Sequence, residues 1–127
     1  MNWQFKHHYT RDEARTLLPQ IQQWLGRLLQ LEERLGSAAQ TVEQLLSTGQ
    51  DCGGPAVEGY VRLQADVLEI LGEFRKREIF IKDLHRGLID FPAIVEGREV
   101  FLCWEQGEED IEFWHELDGG YSGRERL

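Results

Sequence analysis

The sequence predicts an α+β fold in which a long antiparallel helical hairpin packs on a small three-stranded antiparallel β-meander. Apolar residues recur at alternating spacings of three and four through the first half, as in packed antiparallel helices. Turn-forming residues are concentrated at 47–55, and the last third changes to short aromatic and β-branched runs between glycines. At 127 residues the chain fits a single domain spanning 1–127.

Helix one is predicted over 10–48. Thr10 and Glu13 form a capping-box pattern at its start, because each side chain can bond the backbone amide of the other residue. Pro19 and Gly36 predict kinks, and the sequence leaves open whether the helix is continuous through Gly36. The apolar positions of its seam are Leu17, Ile21, Trp24, Leu28, Leu31, Leu35, Ala38, Val42 and Leu45.

Helix two is predicted over 56–78, where the same spacing resumes after the turn. Its seam positions are Val57, Tyr60, Gln64, Val67, Leu71 and Phe74. A chain that folds back about the loop leaves the start of helix one beyond helix two, so we expect the sheet to cover it. The residues left beyond are Leu17, Leu18, Ile21, Trp24 and Leu25. Helix one is also apolar over a wider stripe than one helix covers, which predicts a homodimer through the helical hairpin.

The β-meander is predicted over 87–116 and a tail over 117–127. Both connections are predicted as two-residue glycine turns, so side-chain alternation fixes which residues share a face. The pairs opposed at the two turns are Val95 with Arg98 and Glu105 with Glu108. One face collects Ile89, Phe91, Val100, Leu102, Trp104, Ile111 and Phe113, together with His115. The other face collects Asp90, Phe101, Cys103, Glu112 and Trp114.

The composition predicts a cytoplasmic protein, because the chain has no signal peptide and no apolar stretch of roughly 18 residues. Cys52 and Cys103 are expected to be reduced in that compartment, so no disulfide is predicted. The residues after position 95 include ten acids and three bases, which is −7 of the net charge of −9. Such a field repels phosphate backbones and anionic lipid, so neither nucleic acid nor a membrane is expected as a partner.

Three parts of the chain carry a family resemblance. They are Thr10-Arg11-Asp12-Glu13-Ala14 with Leu17-Leu18-Pro19; Lys82-Asp83-Leu84 with Gly87-Leu88-Ile89-Asp90-Phe91-Pro92; and Gly97-Arg98-Glu99-Val100, Leu102-Cys103-Trp104, Gly107-Glu108, Trp114-His115-Glu116 and Gly123-Arg124. Together they resemble a family of small, mostly bacterial proteins named domain of unknown function 2203. The family's usual pattern has a glycine near Ile79, which this chain lacks. The resemblance implies one complete protein and no established activity, cofactor or catalytic residue.

The first candidate site is a metal site formed by Asp90, Cys103, His115 and Glu116, with Asp118 close in sequence. Oxygen, sulfur and nitrogen ligands of these types bind a divalent ion when three or four converge from different strands. The spacing matches no standard metal motif, and the predicted faces separate His115 from Asp90 and Cys103. Convergence therefore requires a bulge or a different loop length. The alternative is a packed histidine whose ring bonds the backbone or Asp90.

The second candidate site is a ligand pocket with an aromatic wall and a cationic rim, suited to a small anion or a peptide end. Its residues are Trp104, Trp114, Arg124 and Asp90, with Phe101, Tyr121 and Arg126 beside them. The alternative is that the rings fill a core and the arginines pair with acids. Asp90 alone has further interpretations. It is a proton-transfer group with a raised pKa, or it accepts backbone amides at a turn or pairs with Arg98 or Arg124.

The leading functional hypothesis from the sequence is a non-enzymatic, homo-oligomeric binding or scaffold protein. Its acidic, aromatic β-meander surface would recognise a small ligand or a protein partner. The alternative is a metal-binding protein or metal-dependent enzyme centred on Asp90, Cys103 and His115, with a divalent metal as the only cofactor candidate. The residue pattern does not decide whether the protein is an enzyme.

Overall fold

The computed structural model describes residues 2–49 and 54–127. The chain forms two compact units. The sheet unit comprises Met1–Leu25 with Glu73–Leu127, and the hairpin unit comprises Gly26–Gly72. Two helices precede an antiparallel sheet, so the predicted α+β class is confirmed. Within the described ranges, no helix combines the length and the apolar character needed to cross a membrane.

Helix α1 spans Arg11–Ser47, one residue inside the predicted bounds at each end. Thr10 Oγ1 accepts from the Glu13 amide at 3.1 Å, and Glu13 Oε1 accepts from the Thr10 amide at 3.1 Å. The predicted capping box is therefore confirmed. The helix contains Pro19 and runs on through Gly36 without interruption, which answers the question of continuity that the sequence left open.

Helix α2 spans Pro55–Lys76 and ends two residues before its predicted end. The Ile79 amide donates to the Phe74 carbonyl oxygen at 3.1 Å. The Glu78 amide donates to the Arg75 carbonyl oxygen at 3.0 Å, so the two bonds form a Schellman motif. Glu78 has a φ of 55°, the left-handed conformation that glycine usually supplies at this position. The backbone reversal at Glu78 ends the helix.

The two helices lie side by side within the hairpin unit. Arg27 Nη2 and Asp66 Oδ2 approach to 3.8 Å. The buried apolar residues of this unit are Leu28, Leu31 and Leu63. Several predicted seam residues are only half-buried, namely Leu35, Ala38, Val42, Leu45, Val57, Tyr60 and Val67. Two helices therefore leave much of the seam partly open to solvent.

The sheet has five antiparallel strands in the order β1-β2-β3-β4-β5, so the prediction of three strands is wrong. The strands are β1 Phe80–Asp83, β2 Leu88–Val95, β3 Arg98–Glu105, β4 Phe113–Glu116 and β5 Glu125–Arg126. β1 has four residues and only two apolar side chains, and β5 has two residues, neither of them apolar. Segments this short produce no alternating pattern, which is why the sequence shows neither strand. β5 lies in the predicted tail.

The register of the first hairpin is the predicted one. Val95 opposes Arg98, and Asp90 opposes Cys103. Both turn residues have positive φ, 51° at Glu96 and 78° at Gly97, as the type I′ hairpin turn requires. The side chains of β2 and β3 therefore lie on the faces expected from the sequence.

The register of the second hairpin differs from the prediction. Leu102 opposes Trp114 instead of Ile111, a displacement of three residues. Because the displacement is odd, every β4 side chain lies on the face opposite to the predicted one. His115 opposes Phe101 and joins the face of Asp90, whereas Trp114 leaves that face.

The two-residue turn at Gln106-Gly107 is present, with the Glu108 amide donating to the Glu105 carbonyl oxygen at 3.0 Å. The displacement arises because the residues after this turn continue as a loop to residue 112 instead of pairing with β3. The Trp104 indole Nε1 donates to the Glu108 carbonyl oxygen at 2.9 Å. Ile111 is fully buried, and Asp110 Oδ1 accepts from Arg15 Nε at 2.7 Å. These contacts hold the loop in place, so pairing resumes only at β4.

The start of α1 is buried in the sheet unit. Leu18, Ile21 and Leu25 are at most 6% exposed. One sheet face is equally buried in the same unit, through Ile89, Phe91, Val100 and Leu102. Trp24 packs on Phe74 of α2 with ring centroids 5.3 Å apart, so its predicted position beyond the second helix is wrong.

Candidate functional site

Three neighbouring strands bring Asp90, Cys103 and His115 together. Asp90 on β2 opposes Cys103 on β3, and the β3–β4 register places His115 on the same face. One candidate ligand atom of each residue lies within 4.8 Å of the other two. The three are 1%, 0% and 2% exposed, respectively. The convergence that the metal candidate required, and that the predicted faces did not give, is thus present for these three residues because the loop before β4 is longer than expected.

Both ring nitrogens of His115 are engaged. Nδ1 lies 2.6 Å from the Glu116 carbonyl oxygen, and Nε2 lies 2.9 Å from Asp90 Oδ2. The Gly120 amide lies farther from Nδ1, at 3.2 Å. A carbonyl oxygen can only accept a hydrogen bond, so Nδ1 carries a proton. A second proton lies between Nε2 and Asp90 Oδ2. Desolvation lowers the pKa of His115, but the bonds to Asp90 and Glu116 outweigh it, so the pKa lies above its ordinary value.

Asp90 has one satisfied and one unsatisfied oxygen. Oδ2 accepts from His115, whereas Oδ1 is buried without a hydrogen-bond partner in the described part of the chain. Buried carboxylate oxygens are nearly always paired, because an unpaired one loses its solvation without compensation. Oδ1 is therefore the atom of this cluster with spare capacity to bind a ligand.

Cys103 is a free and fully buried thiol, whereas Cys52 lies outside the described residues. Burial raises the pKa of the Cys103 thiol to about 12, and the charge of Asp90 and a weak thiol hydrogen bond to its carboxylate add to the effect. The thiol is therefore protonated at neutral pH and does not act as a free nucleophile. A bound metal ion would deprotonate it directly.

A cavity of about 260 Å³ opens beside Asp90 and His115. Its other lining residues are Lys82, Leu88, Leu117, Asp118, Gly119, Gly120 and Tyr121. Of these, the sequence singled out only Asp118 and Tyr121 as candidates. Lys82 belongs to β1, and the sequence pattern does not predict this strand. The position of Lys82 in the cavity wall was therefore not predictable from the sequence.

Glu116 does not join the cluster through its side chain. Its Oε1 accepts from Arg98 Nη1 at 2.6 Å, and only its carbonyl oxygen contacts His115. Arg98 and Arg124, the cations proposed as partners of Asp90, pair instead with Glu116 and Glu108. The alternative to a metal site was a packed histidine whose ring bonds the backbone or Asp90. The His115 ring makes both of these hydrogen bonds.

The residues of the predicted ligand pocket are dispersed. Trp104 is fully buried, and Trp114 is half-buried on the face opposite to Asp90, so neither lines the cavity beside His115. The Arg124 guanidinium carbon lies 3.8 Å from the centroid of Phe113 and 4.6 Å from that of Tyr121. Arg124 thus fixes the carboxyl-terminal segment that contributes Tyr121 to the cavity wall.

The residues before α1 form an amino-terminal strap, Gln4–Tyr9, which the sequence did not predict. The amides of Gln4 and Phe5 donate to the Glu99 carboxylate at 2.8 and 3.0 Å. The amides of Lys6 and His7 donate to Glu78 Oε1 at 2.8 and 2.7 Å.

The strap also makes ring contacts on the sheet face that carries Asp90. The Phe5 ring packs against Phe80 at 5.3 Å and Phe101 at 5.4 Å between centroids. Phe101 in turn lies 5.5 Å from the His115 ring. The strap therefore covers the aromatic side chains next to the cluster.

Comparison with curated proteins and with solved structures finds no significant match. A family model, described as an uncharacterized conserved protein, matches residues 7–127. That match contains the helices, all five strands and each residue of the Asp90 cluster. The chain therefore belongs to the DUF2203 family.

Proposed function

We propose that this protein binds a divalent transition-metal ion, zinc in the first instance, through Asp90, Cys103 and His115. The three supply one oxygen, one sulfur and one nitrogen donor, the mixed set that suits zinc. The observation that carries the proposal is the buried, unpaired Oδ1 of Asp90 beside a thiol and an imidazole. Buried carboxylate oxygens without a hydrogen-bond partner are rare in protein cores.

The distances support a site that needs little rearrangement. Bonds of about 2.0–2.3 Å place tetrahedral zinc ligands roughly 3.3–3.8 Å apart. The candidate atoms lie within 4.8 Å of one another, and the His115–Asp90 contact of 2.9 Å is the one that must widen. A metal ion would replace the proton shared by that pair.

The orientation of His115 also supports the proposal. Metal-binding histidines usually donate their second ring N–H to a carbonyl or carboxylate, which fixes the ring. His115 Nδ1 has such a bond to the Glu116 carbonyl oxygen, and Nε2 points to Asp90. Three protein ligands leave one coordination position for water or a small ligand, and the cavity provides space for it.

The proposal is tested by cobalt(II) binding to protein purified without chelator, with elemental analysis for zinc. We expect one equivalent of metal and a thiolate-to-cobalt charge-transfer band in the near ultraviolet. Cys103→Ser is expected to abolish that band, whereas the matched control Cys52→Ser keeps it. His115→Ala is expected to lose stoichiometric binding, with circular dichroism confirming that the variant is folded.

The metal proposal is wrong if the wild-type protein takes up no stoichiometric zinc or cobalt. It is also wrong if Cys103→Ser retains the charge-transfer band, because the sulfur ligand would then lie elsewhere. The near-isosteric serine keeps this test valid even where His115→Ala fails to fold.

A second proposal concerns the helical hairpin: we infer that the protein self-associates as a homodimer through the hairpin unit and so acts as a scaffold. Leu46, Val61 and Leu68 are 64%, 54% and 64% exposed in the single chain. The half-buried seam described above adds to this apolar surface. A second hairpin would bury both sets of side chains in a four-helix core.

Sedimentation equilibrium at micromolar concentration tests the dimer. We expect twice the monomer mass for the wild type and the monomer mass for Val61→Glu/Leu68→Glu. Leu127→Glu is the matched control, since Leu127 is a 45% exposed leucine outside the hairpin unit. A monomeric wild type overturns the proposal.

A further inference from the structure

We propose that the cavity beside the Asp90 cluster binds a small monocarboxylate, with one oxygen in the open metal position and the other paired with Lys82. This inference rests on the metal site proposed above. It adds the ligand class and assigns a role to a lysine outside the metal site.

Lys82 is an exposed cation that lines the cavity together with Asp90 and His115. Its Nζ lies 5.4 Å from the ring centroid of Phe80 and 5.1 Å from that of Phe101. Within residues 2–49 and 54–127, Lys82 has no carboxylate within ion-pair distance. The aromatic rings thus hold the ammonium at the cavity without neutralising it.

The charges of the site limit the charge of the ligand. A divalent ion is neutralised by the Asp90 carboxylate and the Cys103 thiolate, while His115 binds as a neutral imidazole. Lys82 adds one positive charge to the cavity and Asp118 one negative charge. A monoanion between the metal and Lys82 pairs with an ammonium that has no carboxylate within ion-pair distance, and it adds less negative charge beside Asp118 than a phosphate dianion does.

The size of the cavity limits the ligand. Drug-sized ligands occupy pockets of about 300–1,000 Å³, and this cavity of about 260 Å³ lies below that range. It exceeds the volume of one liquid water molecule, about 30 Å³, several-fold. Its apolar walls come from Leu88, Leu117 and Tyr121. A carboxylate with a short aliphatic chain matches these dimensions.

Asp118 is the competing occupant of the open position. It lines the same cavity, is exposed, and carries the functional group that an added carboxylate would offer. If Asp118 were the fourth metal ligand, added carboxylate would not reach the metal. The experiment must therefore distinguish a free anion from this side chain.

The test titrates acetate into the cobalt-loaded protein and follows the visible ligand-field bands. We expect a saturable change in the bands, because acetate replaces water on the metal. In Lys82→Met we expect acetate binding to weaken by about tenfold to a hundredfold, as for a lost charge-assisted hydrogen bond. Lys82→Arg should recover most of the affinity. The matched control Lys6→Met changes an exposed lysine outside the cavity and should bind as the wild type does.

Each other outcome overturns the inference in a recognisable way. Cobalt binding without any response to acetate rules out the anion site and leaves the metal proposal intact. If Asp118→Asn then restores the response to acetate, Asp118 is the fourth metal ligand. Equal acetate affinity in Lys82→Met and the wild type removes the role of Lys82. Failure to bind cobalt at all removes both proposals together.

Discussion

Asp90 and His115 form a buried pair whose members depend on each other. Each side chain is at most 2% exposed, and the pair shares a hydrogen bond of 2.9 Å. Removing one member of a buried ion pair leaves the other without compensation, which typically destabilises a protein by about 3–5 kcal/mol. The metal-free fold therefore already depends on the residues that we propose as ligands.

We expect Asp90→Ala to lower the free energy of unfolding by about 3–5 kcal/mol. Asp90→Asn should cost less, because its amide can donate to His115 Nε2 and leave the ring neutral. Asp118→Ala, the exposed control on the cavity wall, should lie within about 0.5 kcal/mol of the wild type. Urea unfolding of the metal-free protein measures all three, and equal effects at positions 90 and 118 would contradict the pairing.

Glu78 combines an unfavourable backbone conformation with a binding role. Its φ of 55° is costly for a residue with a Cβ, yet its carboxylate accepts the amides of Lys6 and His7. The glycine that the family resemblance places near Ile79 would remove the backbone cost. It would also remove the carboxylate that holds the strap.

Glu78→Gly and Glu78→Ala separate these two effects, because both lack the carboxylate. We expect the glycine variant to be about 1 kcal/mol more stable than the alanine variant in chemical denaturation. Both should lose hydrogen-exchange protection at the Lys6 and His7 amides. Unchanged protection in both variants would show that Glu78 does not anchor the strap.

At the scale of elements, the loop at 106–112 decides where the β4 side chains lie. The residue types of the cluster are evident from the sequence, but their convergence is not. The simplest interpretation of the sequence is a strand that pairs directly after the turn at Gln106-Gly107, and this places His115 on the wrong face. The contacts that lengthen the loop, from Arg15 and Trp104, come from other elements and leave no local pattern.

The long, regular elements were predictable because the contacts that define them are local in the sequence. The capping box of α1 and the first hairpin turn depend on residues within a few positions of each other. Apolar spacing then defines the helix interiors. β1 and β5 gain their hydrogen bonds from neighbouring strands, so their own few residues contain too little information.

The ion pair of the loop gives a pH-dependent prediction. Hydrogen bonds from Arg15 lower the pKa of Asp110 to about 2, below the ordinary value of 3.8. The folded state therefore favours the carboxylate, and its stabilising effect is full above about pH 4 and lost as the pH falls towards 2. We expect Asp110→Asn to be less stable than the wild type at pH 7, with a difference that shrinks between pH 4 and 2.

The measurement is the difference in unfolding free energy between Asp110→Asn and the wild type across that pH range. Glu109→Gln, its exposed neighbour on the same loop, serves as the control and should show a much smaller difference at pH 7. A difference for Asp110→Asn that stays constant from pH 7 to pH 2 would contradict the role of Arg15.

For the molecule as a whole, several acids of the last third pair with arginines. Arg86, Arg98 and Arg126 contact Glu105, Glu116 and Glu112 at 2.8, 2.6 and 3.6 Å. Each of these arginines also lies over an aromatic ring, those of Tyr121, Trp114 and Phe113. These arginines thus join acids and rings on the sheet surface, where exposed ion pairs each contribute little to stability.

The amino-terminal strap sets an order of events during folding. Its hydrogen bonds to the rest of the sheet unit join residues 68 to 95 positions apart in the chain. The meander closes through connections between consecutive strands, whereas docking of the strap carries the loop-closure entropy of up to 95 residues. During synthesis, residues 4 and 5 emerge first, yet their acceptor, Glu99, appears only after three-quarters of the chain has been made. We therefore expect the strap to dock last and the face of Phe101 and His115 to stay uncovered until then.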